Sequence, residues 1–221
     1  MTDFLSFAVE YLPEILAALP VTLGLWVLAM ILGFTLGLLL ATGRLYGNRV
    51  VYGLSTAYVE IFRGTPMLVQ MFFIYLGLPE IGIVLDPFLA AFVAIGMNSA
   101  AYQAEYFRGA VRSVPPGQMM AARAIGMTRM EGFRSIVLPQ AMRRVIPQWT
   151  NEAILELKYT SIAYAIGVSE ITARAEKIGN TTFQFFDVFL LLAVIYVILT
   201  GIVAQVLQIV ESRTAIPGVN R

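Results

Sequence analysis

The stretch Ile15–Gly43, ILAALPVTLGLWVLAMILGFTLGLLLATG, runs for 29 residues without a formal charge. A helix needs roughly 20 such residues to cross a hydrocarbon core about 30 Å thick, so this stretch reads as a transmembrane helix. Pro13 and Pro20 suit its start or a first-turn kink. The residues before it carry Asp3, Glu10 and Glu14 and neither Lys nor Arg, which does not fit the basic start of a cleaved leader. Val188–Val210 is a second uncharged run, of 23 residues, closed by Glu211 and Arg213.

Composition points the same way. Of the 221 residues 58% are apolar and 13% charged, against about 45 to 50% and about 25% in a soluble domain. The charges are gathered into short stretches between apolar runs, as one bilayer-spanning domain over 1–221 requires. A net charge of +1 implies no nucleic-acid partner. With no Cys and no His, disulfides, thiolate chemistry, imidazole bases and the common zinc ligand sets are excluded, and no metal or cofactor is implied.

Between the two long runs the signal weakens. Gly64–Pro79 and Pro87–Ala104 are uncharged runs of 16 and 18 residues bounded by turn formers, extendable back to Tyr58 and on to Arg108. Phe133–Tyr159 carries Arg134, Arg143, Arg144, Glu152, Glu156 and Lys158, which a lipid-facing helix does not tolerate. It reads as a helix shielded by protein or lining water, followed by a broken, re-entrant segment over about 160–186. The segments Arg44–Arg49, Arg108–Arg144 and Arg213–Arg221 hold 11 of the 15 basic residues. The positive-inside rule puts these loops on the cytoplasmic face. The expected fold is therefore all-α, with five transmembrane helices, the N-terminus outside and the C-terminus cytoplasmic.

On the basic face, Gln118–Ile125 (QMMAARAI) is rich in helix formers and is followed by Gly126, a C-terminal stop. Read by itself this is a short surface helix joining two spans. The run from Met120, Ala121 and Ala122 through Gly126 to Ile136, Val137, Leu138 and Pro139 resembles the EAA loop of importer-type ABC transporter permeases. Arg63-Gly64-Thr65-Pro66 with Gln70, Asn98-Ser99-Ala100-Ala101-Tyr102 with Glu105 and Arg108-Gly109, Leu138-Pro139-Gln140-Ala141 and Ile166-Gly167-Val168 narrow the resemblance to the polar amino acid (histidine, glutamine or arginine type) permeases. The resemblance implies a translocation pathway for polar, including basic, amino acids. It also implies a coupling loop over about 109–132, with Gln118, Met120, Ala121, Ala122 and Gly126 on an ATP-binding cassette ATPase. The further partners it implies are a second permease copy or homologue, an extracytoplasmic amino acid-binding protein and membrane lipid, and the location a prokaryotic inner membrane. Two departures stand out: Met120 occupies the place of the loop's usual Glu, and Tyr159, after Lys158, that of a usual Asp.

On the fourth helix Trp149, Glu152, Glu156 and Tyr159 recur every three or four residues and share a face. Two readings of that face stand. The acids are either structural partners of Arg143, Arg144 or Lys158, or the wall of a substrate site where a carboxylate holds an ammonium group. Asn98, Tyr102 and Glu105 form a matching stripe on the third helix. Asn98 is either a donor to a substrate carboxylate or a helix–helix hydrogen bond. Gly24, Gly33 and Gly37 suit close helix approach, and Phe183, Phe185 and Phe186 suit interfacial anchoring or contact with a binding protein.

No catalytic set emerges. The two lysines precede Tyr159 and Ile178, so there is no phosphate-binding GK[ST], and ATP must be handled by another chain. Without His there is no Ser-His pair, and Asp3, Asp86 and Asp187 all fall at span boundaries. The alternative to an importer permease is half of an ion-gradient-driven secondary transporter using the buried acids.

Overall fold

Pro20 lies in the first turn of a helix, where its missing N–H costs nothing, and from there the quoted stretch runs unbroken as helix α2, Leu19–Tyr46. The computed structural model describes residues 4–214; Asp3 and the end of the Arg213–Arg221 stretch lie outside them. Pro13 sits inside a separate helix α1, Phe4–Leu16. Phe7 and Ile15 of α1 bury themselves against Ile171, Ile178, Val188 and Leu191.

Asn48 starts α3, Arg49–Gly64, its side chain accepting from the Val50 and Val51 amides. The expected span beginning at Gly64 is thus placed differently. The helix begins fifteen residues earlier and breaks at Thr65, which is extended at φ −119° and ψ 145° because Pro66 disfavours the helical region in the residue before it. Helix α4, Met67–Phe72, continues through a π turn and a 3-10 turn to Ile81. The two arms are bent by 109°.

The break exposes backbone carbonyls that two side-chain amides satisfy. Gln70 Nε2 lies 2.8 Å from Phe62 O and 2.9 Å from Thr65 O. Asn98 Nδ2 donates to Phe62 O at 2.9 Å and to Gln70 Oε1 at 3.0 Å. Leaving such buried carbonyls bare costs about 1–3 kcal/mol. Gln70→Leu is therefore expected to lower the melting temperature of the purified protein by several degrees, measured in detergent, while Gln70→Glu, which keeps the acceptor and loses the donor, falls between.

Asp86 caps α5, Pro87–Ser113, by accepting from the Leu89 amide at 3.1 Å. Then come α6, Pro116–Ala124, and α7, Arg129–Gly132, which passes through a π turn at Phe133–Val137 into α8, Leu138–Tyr159. After Tyr159 come a 3-10 segment Thr160–Ile166, Gly167 at φ +91°, and α9, Ile171–Thr182, capped by the Glu170 carboxylate. Helix α10, Phe185–Thr214, closes the described chain.

Among the described residues two helices, α2 and α10, are long and apolar enough to cross a membrane, or three when the bent α3–α4 pair counts as one. Helices α5 and α8 match α2 in reach but not in polarity, because each devotes a face to polar residues. Those two faces meet each other. Helix α2 covers them through glycine: a Cβ on Gly33 would stand 2.6 Å from Gln103 Nε2 and 2.8 Å from Ser99 Oγ, and one on Gly37 3.0 Å from Ala100 O. Gly24 differs from the expectation. A Cβ there meets nothing within 4 Å, so Gly24 does not serve a close approach.

Candidate functional site

Ser99, Gln103 and Tyr106 project from α5 at helical spacing towards Trp149, Glu152 and Glu156 of α8. Ser99 Oγ lies 3.3 Å from Glu152 Oε1 and 3.0 Å from Glu156 Oε2. It accepts from Gln103 Nε2 at 3.0 Å, and Gln103 Oε1 in turn accepts from Trp149 Nε1 at 3.0 Å. The Tyr106 hydroxyl donates to Glu152 Oε2 at 3.1 Å.

Both acids are enclosed, Glu152 at 4% exposure and Glu156 at 1%. Among the described residues, neither has a basic side chain within ion-pair distance. The reading in which they are structural partners of Arg143, Arg144 or Lys158 does not hold: Arg144 instead donates to Ser113 O at 2.7 Å. Glu156 Oε1 is buried without any hydrogen-bond partner. Two carboxylates that share one serine and lack a cation form a site with unspent affinity for positive charge.

The other expected residues divide. Asn98, at 5% exposure, has its amide on Phe62 O and Gln70 Oε1, the helix–helix bond of the two readings. Tyr102 lies under the Arg63 guanidinium, whose Cζ is 5.3 Å from the ring centroid. Tyr159 is at the rim, 37% exposed. Glu105 is drawn away from the cluster by Arg44 and Arg108, with which it forms two short ion pairs. Gln103 and Tyr106 were not singled out by the sequence reading. Their signal is polar residues at i, i+4 and i+7 from Ser99 on an otherwise apolar helix. Trp26 was also missed; its Nε1 donates to Ala153 O at 2.8 Å and fixes α2 on α8. Beside it lies an apolar cavity of about 300 Å³ lined by Trp26, Met30, Phe34, Trp149 and Leu207.

At the other end of α5 the basic loop is built around Gly126. At φ +89° it adopts a conformation that favours glycine, and it closes α6 in a Schellman motif: Met127 N donates to Ala122 O at 3.1 Å and Gly126 N to Arg123 O at 3.0 Å. Ala122 is buried, and a Cβ on Gly132 would stand 3.2 Å from its Cβ, so α6 rests on α7. Gln118 reaches Gln140 at 3.3 Å. Thr128 and Glu131 form a capping box on α7, whose hydrogen bonds hold the Glu131 carboxyl below the usual carboxylate range. Met120, Ala121, Ala124 and Ile125, at positions one and four apart, form an exposed stripe, with Met120 at 65% and Ile125 at 76%.

A family model described as binding-protein-dependent transport system inner membrane component matches residues 33–215. The chain belongs to this family. It is 38% identical over 217 residues to the nopaline transport system permease protein of Agrobacterium fabrum, covering 94% of this chain and 90% of that one. It is 36% identical over 207 residues to the glutamine transport system permease protein of Escherichia coli, covering 93% and 94%. A chain from the crystal structure of an amino acid ABC transporter with histidines superposes with a TM-score of 0.91 at 36% identity, over 96% of this chain and 99% of that one. A chain of the MetNI methionine ABC transporter in an inward-facing conformation shares the fold, with a TM-score of 0.77 at 21% identity.

The importer assignment therefore holds, and nothing found favours the ion-gradient alternative. This is a multi-pass inner-membrane permease subunit of a binding-protein-dependent importer, and ATP hydrolysis belongs to a separate subunit.

Proposed function

We propose that this permease forms half of the translocation pathway of a polar amino acid importer, and that Glu152 and Glu156 receive the substrate's positive charge there. The observation that carries the reading is the Ser99-bridged pair of buried carboxylates without a cationic partner. A buried acid in a membrane costs at least about 2.5 kcal/mol on insertion scales, so such a pair persists where it serves a pathway. The relatives' nopaline, glutamine and amino acid substrates agree with that class. Tyr159 and Tyr102 line the approach. The test is uptake by the reconstituted importer, comparing a cationic with a neutral amino acid after amide replacement of either Glu.

The topology that fits is five spans, α2, α3–α4, α5, α8 and α10, with the N-terminus outside and the C-terminus cytoplasmic. The 160–186 segment is then re-entrant from the outer side. Five helices are too few to enclose a gated pathway, which calls for a second permease, a copy or a homologue, related by a twofold axis along the membrane normal. Crosslinking in native membranes should trap that pair, and an active complex with a single permease would overturn it.

The 109–132 loop is the coupling loop, presenting Gln118, Met120, Ala121, Ala122 and Gly126 to the ATPase, and an extracytoplasmic binding protein delivers the substrate. The strained φ of Gly126 supplies a direct test, because any side chain there costs about 1–2 kcal/mol and unwinds the cap. Gly126→Leu is expected to insert normally yet release the ATPase on co-purification, or leave its hydrolysis unresponsive to substrate. Unchanged assembly and coupling would remove the loop from the interface.

A further inference from the structure

We propose that Arg63 holds the α-carboxylate of the substrate whose ammonium group faces Glu152 and Glu156, so that the site takes a zwitterionic α-amino acid between two oppositely charged ends. This rests on the pathway reading above. Arg63 stands in the last turn of α3, immediately before the break at Thr65–Pro66. Its guanidinium makes no ion pair and no hydrogen bond among the described residues; its one contact is the face of Tyr102. The neighbouring arginines are spent, since Arg44 and Arg108 both converge on Glu105. Asn98, the other donor within a turn of Ser99, has its amide committed to the helix break. Tyr102, under Arg63, and Tyr106, whose hydroxyl is already on Glu152, are one turn apart on α5, so the cation and the acids flank the same stretch of that helix.

The geometry suits an amino acid. Ser99 and Tyr102 are three residues apart on α5, a rise of about 4.5 Å, so the acids that Ser99 bridges and the guanidinium over Tyr102 stand less than one turn apart along the helix. Tyr102 holds the guanidinium over its ring and leaves the N–H groups, a ready fork for the two oxygens of a carboxylate, without hydrogen-bond partners among the described residues. Arg63 is exposed beside the break, so its guanidinium is open to an incoming carboxylate. Amines without a carboxylate would satisfy the acids and leave the arginine bare.

The permease with its ATPase subunit, in nanodiscs and without the binding protein, provides the assay. L-arginine and L-argininamide, which differ in the carboxylate, are the probes, with L-glutamine as the neutral side-chain control. The unaltered complex is expected to prefer L-arginine over L-argininamide by about tenfold or more, because the amide leaves the guanidinium unpaired. Arg63→Gln should bring that ratio within about twofold of one, with L-glutamine weakened as much as L-arginine. Arg63→Lys keeps the charge without the fork and should fall between, which preserves the test should Arg63→Gln disturb folding. A ratio unchanged in both variants, or no preference in the unaltered complex, overturns the role of Arg63. Amide variants of Glu152 and Glu156 that bind every probe as before overturn the pathway reading itself, as does an unaltered complex that binds none of the three.

Discussion

Glu156→Gln is expected to lower uptake of a cationic amino acid by about ten- to a hundredfold at subsaturating concentration, while a neutral one loses about threefold or less. The substitution keeps the size of a side chain that is 1% exposed and removes its charge. A hydrogen bond to a charged group contributes about 1.5–3 kcal/mol, and around a carboxylate this buried screening by water is weak. The lost attraction therefore acts on the net charge of the ligand. Glu152→Gln should show the same order of preference with a smaller change, since both Glu152 oxygens already accept hydrogen bonds, from Ser99 and Tyr106, whereas Glu156 Oε1 has no partner. Tyr159→Asp adds a carboxylate one turn from Glu156 and should shift preference towards basic amino acids. Equal losses for all substrates, with lowered yield and melting temperature and no shift for Tyr159→Asp, would remove both acids from the substrate site and leave the importer assignment untouched.

Gly33→Leu should abolish transport and strip most of the protein from the membrane fraction, and Gly33→Ala should cost about 1–3 kcal/mol. A single methyl at this point would stand 2.6 Å from Gln103 Nε2, 2.8 Å from Ser99 Oγ and 3.0 Å from Ser99 Cβ, so α2 must move away from α5 or the polar cluster must give way. The amide end of Gln103 can turn, which is why alanine is survivable; Ser99 Cβ is fixed to the α5 backbone, which is why leucine is not. Gly24→Leu is the control. Space is open there, and expression with a melting temperature within about two degrees of the unaltered protein is expected. Similar losses at both positions would show that α2 does not press on the cluster.

Why these positions differ is a question of what periodicity carries. Ile15–Gly43 and Val188–Val210 announced α2 and α10 because lipid imposes one rule on a whole segment, absence of charge over a fixed length. The Gln118–Gly126 helix was legible for a local reason, since a stop at Gly126 needs a positive φ that only the backbone of that residue provides cheaply. Glu152 and Glu156 could be placed on one face by spacing alone. The Thr65–Pro66 break was visible as a proline, but the 109° turn it makes was not, because the angle depends on Gln70 and Asn98 reaching the freed carbonyls from different elements.

The sequence by itself determined that the chain is helical, lives in a bilayer and gathers most of its basic residues into a few short segments, since each follows from composition, run length or charge spacing. It also carried enough ordered motifs to indicate the permease family. Only the tertiary structure decided what the polar residues do. It took Glu105 away to Arg44 and Arg108, assigned Asn98 to the helix break and brought Ser99, Gln103 and Tyr106 onto the acids. It left Arg63 with an aromatic face and no counter-ion. The physical reason is that a charge or amide in a low-dielectric interior is defined by the partner within about 3 Å of it; Arg108 and Gln103 find theirs on their own helix, but Asn98 and Arg44 find theirs on another, 28 and 61 residues away along the chain.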